Sequence, residues 1–278
     1  MIQLSAFADE ISPDLGEQLS VLGSENIHFL DLRGAWGTNV LDFTDQQIAT
    51  IKQALADQHV GVAAIGSPIG KVAIDSPFSE TLQSFERALE IAQSLQTSFI
   101  RIFSFYPPAQ AAGQGDTVAW RDETLRCVRE LTSRASAAHI TLLHENEKGI
   151  YGDTIAHCVD LLESIDDPHF QAVFDPANFI QCQQTPYPDA YEALRPWLRY
   201  VHVKDAHFDG SVVAAGEGES RWPDLLRRLR ADGYAGFFSL EPHLAAAGQF
   251  QGFSGPALFR HASQSLQRLL REIDWEYN

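Results

Sequence analysis

The chain has 278 residues, of which 45% are hydrophobic and 21% charged, and its formal net charge is −17. This composition is typical of a folded globular protein and excludes a disordered chain, a collagen-like repeat and a small disulfide-stapled domain. Because a strongly acidic chain repels the phosphates of nucleic acids and anionic membrane surfaces, we expect neither as a partner. A small molecule is the expected ligand.

The predicted elements follow one another in a regular order, in which short β-branched or aromatic segments alternate with longer amphipathic segments. The predicted strands are Ile2–Ala8, Ile27–Leu32, Val60–Ile65, Ser98–Phe105, Ile140–Glu145, Phe170–Asp175, Arg199–Val203 and Phe237–Leu240. The predicted helices lie near residues 14–23, 45–58, 78–95, 119–138, 154–165, 187–197, 221–232 and 256–273.

Eight strands, each followed by a helix, predict an α/β protein with the (β/α)8 TIM-barrel architecture, whose typical size is ~250 residues. No linker or change of composition divides the chain, so we expect a single domain over residues 1–278. The alternative is a doubly wound open sheet. That fold normally carries a Gly-x-Gly-x-x-Gly motif after its first strand, and the sequence has none.

The cellular setting is predicted from three features. The cysteines Cys127, Cys158 and Cys182 are few, odd in number and far apart, which is typical of a reducing compartment. No stretch reaches the roughly 18 uncharged apolar residues of a transmembrane helix, and the N-terminus lacks the basic segment of a signal peptide. We therefore expect a cytoplasmic protein, and a homo-oligomer is compatible with the sequence.

Polar residues stand at the carboxyl ends of nearly all predicted strands, which form one rim of a barrel where catalytic groups collect. In chain order the polar segments are Asp9-Glu10, Asp31-Leu32-Arg33, Ile100-Arg101-Ile102, His144–Glu147, Asp175–Asn178, His202–Asp205 and Glu241–His243. Charges near a core are costly unless they are paired or bind a metal. This rim is therefore the predicted functional site.

Four of these residues can hold one divalent cation. They come from four consecutive strands and can converge above the barrel axis: Glu145, Asp175, His202 and Glu241. Three carboxylates and one imidazole suit Mn, Mg, Co or Zn, and the oxygen-rich set favours Mn or Mg. Taken singly, each residue also has a structural interpretation. Asp175 suits a helix N-cap, His202 a core histidine and Glu241 an exposed loop.

The motifs at these positions resemble a known family when they are taken in order. The matching segments are His144–Glu147, Phe174–Phe179, His202–Asp205, Gly216–Gly218 and Gly233–Gly236 followed by Leu240–Pro242. The chain resembles the sugar phosphate isomerase and epimerase family with a xylose isomerase-like TIM barrel, which includes tagatose and psicose epimerases and inosose-processing enzymes.

The resemblance implies a ligand set and catalytic roles. In that family the strand-five Glu, strand-six Asp, strand-seven His and strand-eight Glu bind one divalent metal, which implies this role for Glu145, Asp175, His202 and Glu241. The two glutamates would also form the acid/base pair. Many relatives have a histidine where this chain has Glu147, and many epimerases have one where it has Asn178. Both positions usually contact substrate oxygens.

The predicted reaction is proton transfer at a carbon next to a carbonyl, through an enediolate that a metal stabilises as a Lewis acid. Carboxylates on opposite faces allow epimerisation, and return of the proton to the neighbouring carbon gives isomerisation of a ketose. The residues expected to bind substrate are Arg33, Arg101, Glu147, Asn178, Lys204 and His243. For all but Glu147, the alternative is an ion pair with a rim carboxylate.

Three other functions are weighed against the isomerase. An inosose or dehydroshikimate dehydratase would use the same residues for enediolate formation and then lose a β-hydroxyl. A sugar-binding protein without activity could retain the barrel. Endonuclease IV, a related DNA-repair barrel, binds three zinc ions through many more histidines and does not suit this charge. The acidic segment Gly216–Glu219 opposes a phosphate in the loop where barrels often bind one, which favours an unphosphorylated sugar or polyol ketone.

Overall fold

Eight parallel strands form the centre of the protein, in a computed structural model that describes residues 1–108, 118–245 and 254–278. We number them in chain order as β1 Gln3–Ala6, β2 Phe29–Leu32, β3 Gly61–Ile65, β4 Phe99–Ile102, β5 Thr141–Glu145, β6 Phe170–Phe174, β7 Leu198–Val203 and β8 Phe237–Leu240. Consecutive strands pair from β2 to β8, and β8 pairs with β1. Because β1 also lies beside β2, the sheet is a nearly closed barrel, as predicted.

Helices follow the strands and cover the outside of the barrel. The α-helices of the described residues are α1 Leu15–Ser24, α2 Asp45–Asp57, α3 Phe78–Ser94, α4 Val118–Ala137, α5 Ile155–Ile165, α6 Pro176–Gln181, α7 Tyr191–Leu194, α8 Trp222–Ala231 and α9 Gly255–Glu272. Short 3-10 turns occur at Ala8–Glu10, Val40–Asp42, Tyr151–Asp153 and Arg195–Trp197. None of these described helices is both long and apolar enough to cross a membrane.

Several predicted elements differ from the structure in their bounds or continuity, and the first predicted strand, Ile2–Ala8, is longer than the observed β1. The segment predicted as one helix over 187–197 consists of a π-helical turn at Pro186–Ala190, the short α7 and a 3-10 turn. Pro186, Pro188 and Pro196 lack the N–H groups that a continuous helix needs, which explains the breaks. The predicted fourth strand, Ser98–Phe105, is also longer than the observed β4, Phe99–Ile102.

The barrel interior has an apolar layer, and the functional rim begins directly above it. Leu143, Val173 and Tyr200 pack there with partly buried phenylalanines of β2, β4 and β8. Since strand side chains alternate between faces, the residues two positions further along point to the same side. On β5 this residue is Glu145, and on β7 it is His202. The period of two therefore aims the rim side chains at the barrel axis.

Candidate metal and substrate site

The four predicted ligands lie together at the carboxyl end of the barrel. Glu145 is the last residue of β5, Asp175 follows β6, His202 lies near the end of β7 and Glu241 follows β8. Each is at most 2% exposed, and each offers a ligand atom that lies within 4.8 Å of the other three. The sequence prediction that these residues converge is therefore met by the geometry.

Three atoms of this cluster are buried and accept or donate no hydrogen bond among the described residues: Asp175 Oδ2, His202 Nδ1 and Glu241 Oε2. His202 Nδ1 lies 3.3 Å from Glu145 Oε1 and 3.4 Å from Glu241 Oε2. Buried polar atoms without a partner are costly. These atoms face one point and accept or donate no hydrogen bond, and most of them are carboxylate oxygens. Such a set can coordinate a divalent ion such as Mg or Mn.

Asp175 serves two purposes with its two oxygens. Its Oδ1 accepts a hydrogen bond of 2.9 Å from the backbone N–H of Asn178 and so caps α6. Its Oδ2 faces the ligand cluster, 3.9 Å from His202 Nδ1. The structural interpretation of this residue and the metal-binding interpretation are thus compatible, because the cap uses one carboxylate oxygen and the other faces the cluster.

Arginines hold the outward oxygens of the two glutamates. Arg101 Nη1 lies 3.1 Å from Glu145 Oε2 and 3.5 Å from Glu241 Oε1. Arg33 Nη1 donates to the same Glu241 Oε1 at 2.7 Å. Each glutamate therefore directs one oxygen to the ligand cluster and has the other oxygen paired with a guanidinium group.

Lys204 brings a cation directly beside the ligand atoms. It is 4% exposed, and its Nζ lies 2.8 Å from Asp175 Oδ2 and 3.5 Å from Glu241 Oε2. The contact with Asp175 is a close ion pair that lacks hydrogen-bond geometry, so Asp175 Oδ2 still accepts no hydrogen bond among the described residues. A divalent ion at the cluster would repel this ammonium group, so its position in the loaded protein should be further from the ligand atoms.

The buried charges of the rim do not balance without a further cation. Among the described residues the rim holds seven buried carboxylates, and five of them contact arginine or lysine: Asp9, Glu10, Glu145, Asp175 and Glu241. The cations with a permanent charge that they contact are Arg33, Arg101 and Lys204. The other two carboxylates, Asp31 and Asp205, accept hydrogen bonds from hydroxyl and backbone N–H groups. The buried carboxylates thus outnumber these cations, and a divalent ion would supply part of the compensation that buried charges require.

The pKa values of the cluster reflect this crowding. Burial alone would raise the pKa of Glu145, but His202 and Arg101 lower it to about 2. Burial lowers the pKa of His202, and the opposing effect of Glu145 and Glu241 is larger, so the pKa of His202 rises to about 9. Burial raises the pKa of Asp175 despite the nearby Lys204. A proton on His202 would thus supply one of the positive charges that the surrounding carboxylates require.

His202 is also fixed from its sides and from below. Its ring packs edge-on against Phe7 and Tyr200, with ring centroids 5.1 and 6.0 Å apart. Tyr200 donates a hydrogen bond of 2.7 Å to the buried Asp31, which also accepts one of 2.6 Å from Ser239. Since rotation of the imidazole would disrupt this packing, the ligand atom Nδ1 is held towards the cluster.

One cavity of about 300 Å³ opens above the ligand cluster. The predicted substrate-binding residues all line it, together with the two catalytic candidates: Arg33, Arg101, Glu147, Asn178, Lys204, His243, Glu145 and Glu241. Arg33, Arg101, Lys204 and His243 also pair with rim carboxylates, as the alternative interpretation held, whereas Asn178 donates a hydrogen bond to one. The structure shows both properties at once, since the same side chains pair with rim carboxylates and face the cavity.

The two positions where this chain departs from many relatives have clear contacts. Asn178 donates a hydrogen bond of 3.2 Å to Glu145 Oε1 and one of 2.9 Å to the carbonyl oxygen of Asn146. Glu147 pairs with Lys71 Nζ at 2.6 Å. Asn178 thus holds an oxygen of the candidate ligand Glu145, whereas Glu147 lies further out and is bound to Lys71, which the sequence analysis did not single out.

Sequence reasoning missed the partners of Arg33 and His243. Arg33 Nε lies 2.7 Å from Asp9 Oδ2, and Arg33 Nη2 donates to Glu10 Oε1 at 2.8 Å. His243 Nε2 lies 2.9 Å from the same Glu10 oxygen. The adjacent acids at the end of the first predicted strand were the available signal. The ion pairs of these two acids connect the loops after β1, β2 and β8 around one side of the cavity.

Asp205 was also missed, although it belongs to the recognised His202–Asp205 segment. It is fully buried, and its carboxylate accepts hydrogen bonds of 2.9 to 3.1 Å from the backbone N–H groups of Ala206, Gly216, Gly218 and Ser220. A Cβ atom on Gly218 would lie 2.5 Å from the carbonyl oxygen of Ala206. Asp205 therefore fixes the loop after β7 and does not line the cavity.

Comparison with known proteins identifies the family. A family model described as xylose isomerase-like TIM barrel matches residues 26–269. The chain belongs to this xylose isomerase-like family. The resemblance in the sequence motifs and the predicted barrel fold are thereby confirmed. No curated protein sequence matches the chain significantly.

Solved structures share the fold over nearly their whole length. A D-tagatose 3-epimerase-like protein is 16% identical, with a TM-score of 0.79 and 98% of each chain covered. The probable 3-DHS dehydratase AsbF from Bacillus anthracis is 18% identical, with a TM-score of 0.74 and coverage of 96% of this chain and 99% of that one. A xylose isomerase-like barrel from Mycobacterium smegmatis, in complex with magnesium, is 18% identical, with a TM-score of 0.72 and 97% of each chain covered. At these identities the likeness shows the fold alone.

Proposed function

We propose that this protein is a divalent-metal-dependent isomerase or epimerase of a ketose or related polyol ketone. The observation that carries the proposal is the buried cluster of Glu145, Asp175, His202 and Glu241, whose ligand atoms lie within 4.8 Å of one another below a cavity. An excess of buried carboxylates over permanent cations around the cluster supports a divalent ion. The similarity to an epimerase-like protein and to a barrel that binds magnesium supports the same assignment.

A divalent ion in this cluster would supply Lewis acidity towards a carbonyl oxygen and its neighbouring hydroxyl. The chain's own residues would move the proton. Glu145 and Glu241 enter the site from β5 and from the end of β8, and both line the cavity. One carboxylate removes the proton from the carbon next to the carbonyl, and the other returns a proton from its own side. Return to the same carbon inverts it, and return to the neighbouring carbon moves the carbonyl.

The ion pairs with arginine make Glu145 and Glu241 weaker bases than this proton transfer requires. A carboxylate that is paired with a guanidinium is a weak base, and Arg101 Nη1 donates a hydrogen bond of 3.1 Å to Glu145 Oε2. A substrate oxygen that accepts the Arg101 N–H now directed at Glu145 would release that carboxylate oxygen. We therefore assign Arg101 two tasks, which are to bind the substrate and to hold Glu145 inactive until it does.

Solvent deuterium incorporation tests the proposal. The protein is reconstituted with Mn or Mg and incubated in deuterated water with a panel of ketoses and inososes. We expect deuterium at the carbon next to the carbonyl in recovered substrate or product, and we expect Glu241→Gln to abolish it. A metal-free protein after reconstitution, together with no exchange for any compound, would refute the enzyme proposal. Metal and sugar binding without exchange would support the non-catalytic alternative.

A dehydratase is the second candidate, and the position of His243 favours it. This imidazole lines the cavity, and its Nε2 lies 3.6 Å from Glu241 Oε1. Its side chain is 36% exposed, so it can exchange protons with solvent and can protonate a departing β-hydroxyl. The same incubations separate the two functions when their ultraviolet absorbance is also recorded. A dehydratase yields a conjugated product that absorbs in the ultraviolet, and an isomerase does not.

A further inference from the structure

Five cationic side chains line the cavity above the ligand cluster, although the chain as a whole is strongly acidic: Arg33, Lys71, Arg101, Lys148 and Lys204. Three carboxylates line it as well: Glu145, Glu147 and Glu241. Arg33 and Lys204 also pair with Asp9, Glu10 and Asp175, which do not line the cavity. The positive charge that can attract an anion therefore lies with Lys71 and Lys148, at the outer part of a concave site.

The distribution of lysines strengthens the observation. The sequence contains four lysines. Lys71, Lys148 and Lys204 all line this one cavity. The fourth, Lys52, is exposed on α2 and does not line it. Because most surface cations of the chain are arginines, the collection of lysines at one site needs an explanation of its own.

The cations fall into an inner and an outer group. Lys204 and Arg101 are 4% and 5% exposed and contact the ligand cluster, so they compensate its carboxylates. Lys71 and Lys148 lie on the loops after β3 and β5. The side chain of Lys71 is 35% exposed, lies with its Nζ 4.3 Å above the Phe103 ring and pairs with Glu147. The outer lysines thus exceed the single carboxylate beside them.

We propose that the substrate carries an anionic oxygen group, a carboxylate or a phosphate, which Lys71 and Lys148 bind while the reacting carbons lie over the ligand cluster. The inference rests on the proposed function, because it assigns a charged group and an orientation to the substrate of that same site. A neutral ketose would leave two outer lysines beside the single carboxylate of Glu147. An anionic group at the far end of the substrate would compensate the remaining positive charge.

This inference departs from the expectation of an unphosphorylated sugar, and the loop geometry explains why. That expectation rested on the acids Glu217 and Glu219 in the loop after β7. In the structure Glu217 pairs with His261 and Glu219 with His207, and neither lines the cavity. Their charge therefore does not bear directly on what the cavity binds, whereas the charges of Lys71 and Lys148 do.

Calorimetric binding to the metal-loaded protein tests the inference, with three probes that differ at one carbon: D-fructose, D-fructose 6-phosphate and D-fructuronate. We expect at least one anionic probe to bind about tenfold or more tightly than D-fructose, since a hydrogen bond to a charged group in a partly buried site contributes this much. The double variant Lys71→Gln, Lys148→Gln should lose this preference and keep its affinity for D-fructose. The matched variant Lys52→Gln should behave as the wild type does.

Equal binding of the three probes, or binding of none, would overturn the inference. So would a preference that survives in the double variant, because the anion would then be held by the metal or by the inner cations. Tighter binding of the phosphate or of the carboxylate would each support it and would identify the group. The proposed function fails separately, through the absence of deuterium exchange with every compound, and that failure leaves the binding result intact.

Discussion

Metal binding should release a proton from His202, and this makes the metal affinity depend on pH. In the metal-free protein the pKa of His202 is raised to about 9, because Glu145 and Glu241 outweigh the lowering effect of burial. The ligand atom Nδ1 lies among those carboxylate oxygens, so it cannot hold a proton and an ion together. Affinity should therefore rise with pH and level off above about pH 9.

The magnitude follows from that pKa. A pH of 7 is about two units below the pKa of His202. The apparent affinity for the metal should therefore be reduced about 100-fold, or ~2.7 kcal/mol, relative to the deprotonated site. The logarithm of the affinity should rise by about one per pH unit between pH 6.5 and 8.5. Asp175, whose pKa is raised by burial, would steepen the slope towards two if it also carries a proton.

Competition with a chromophoric chelator at constant ionic strength measures this slope for Mn. The variant His202→Asn should bind the ion more weakly and without this dependence on pH. The variant His169→Asn serves as the control, because this histidine pairs with Asp167 and does not line the cavity. A wild-type affinity that is constant between pH 6.5 and 8.5 would refute the assignment of His202 Nδ1 as a ligand.

Three further predictions concern single side chains. Glu241→Gln should lower turnover at least 100-fold, measured as deuterium exchange, and near-normal turnover would refute its catalytic role. Arg33→Leu should lower the free energy of unfolding in urea by about 3 kcal/mol, because it leaves buried carboxylates uncompensated. The control Arg87→Leu removes an ion pair with the exposed Asp45 and should lower it by under about 1 kcal/mol. Equal losses for the two variants would contradict the reasoning. Gly218→Ala should destabilise by about 2 kcal/mol, since its Cβ would lie 2.5 Å from a backbone oxygen. Gly23→Ala, in open space on α1, should be neutral or stabilising by about 0.5 kcal/mol, and the reverse order of the two glycine variants would contradict the packing argument.

The strand order and the convergence of the four candidate ligands could be predicted because they depend on a simple period. Apolar residues at every second position of a strand lead to a polar residue on the same face, as Leu143 leads to Glu145 and Tyr200 leads to His202. A barrel then brings the ends of consecutive strands together. These two facts suffice to bring four polar side chains from four strands to one point.

The partners of the rim residues could not be predicted, because they come from loops and distant strands. Nothing local in the sequence states that Asp9 and Glu10 share Arg33, or that Asp205 accepts N–H groups up to 15 positions away. The broken helix over 187–197 had a local signal in its prolines, which the amphipathic pattern masked. The lysines Lys71 and Lys148 lie in loops whose course only the fold determines.

Anomalous diffraction from a crystal of the Mn-loaded protein tests the central claim most directly. The account predicts one strong Mn peak per chain, within about 2.0–2.3 Å of Glu145, Asp175, His202 and Glu241. It also predicts that the peak disappears in crystals of Glu241→Ala prepared in the same way. A Mn peak elsewhere, or a loaded protein with no peak among these four side chains, would contradict it.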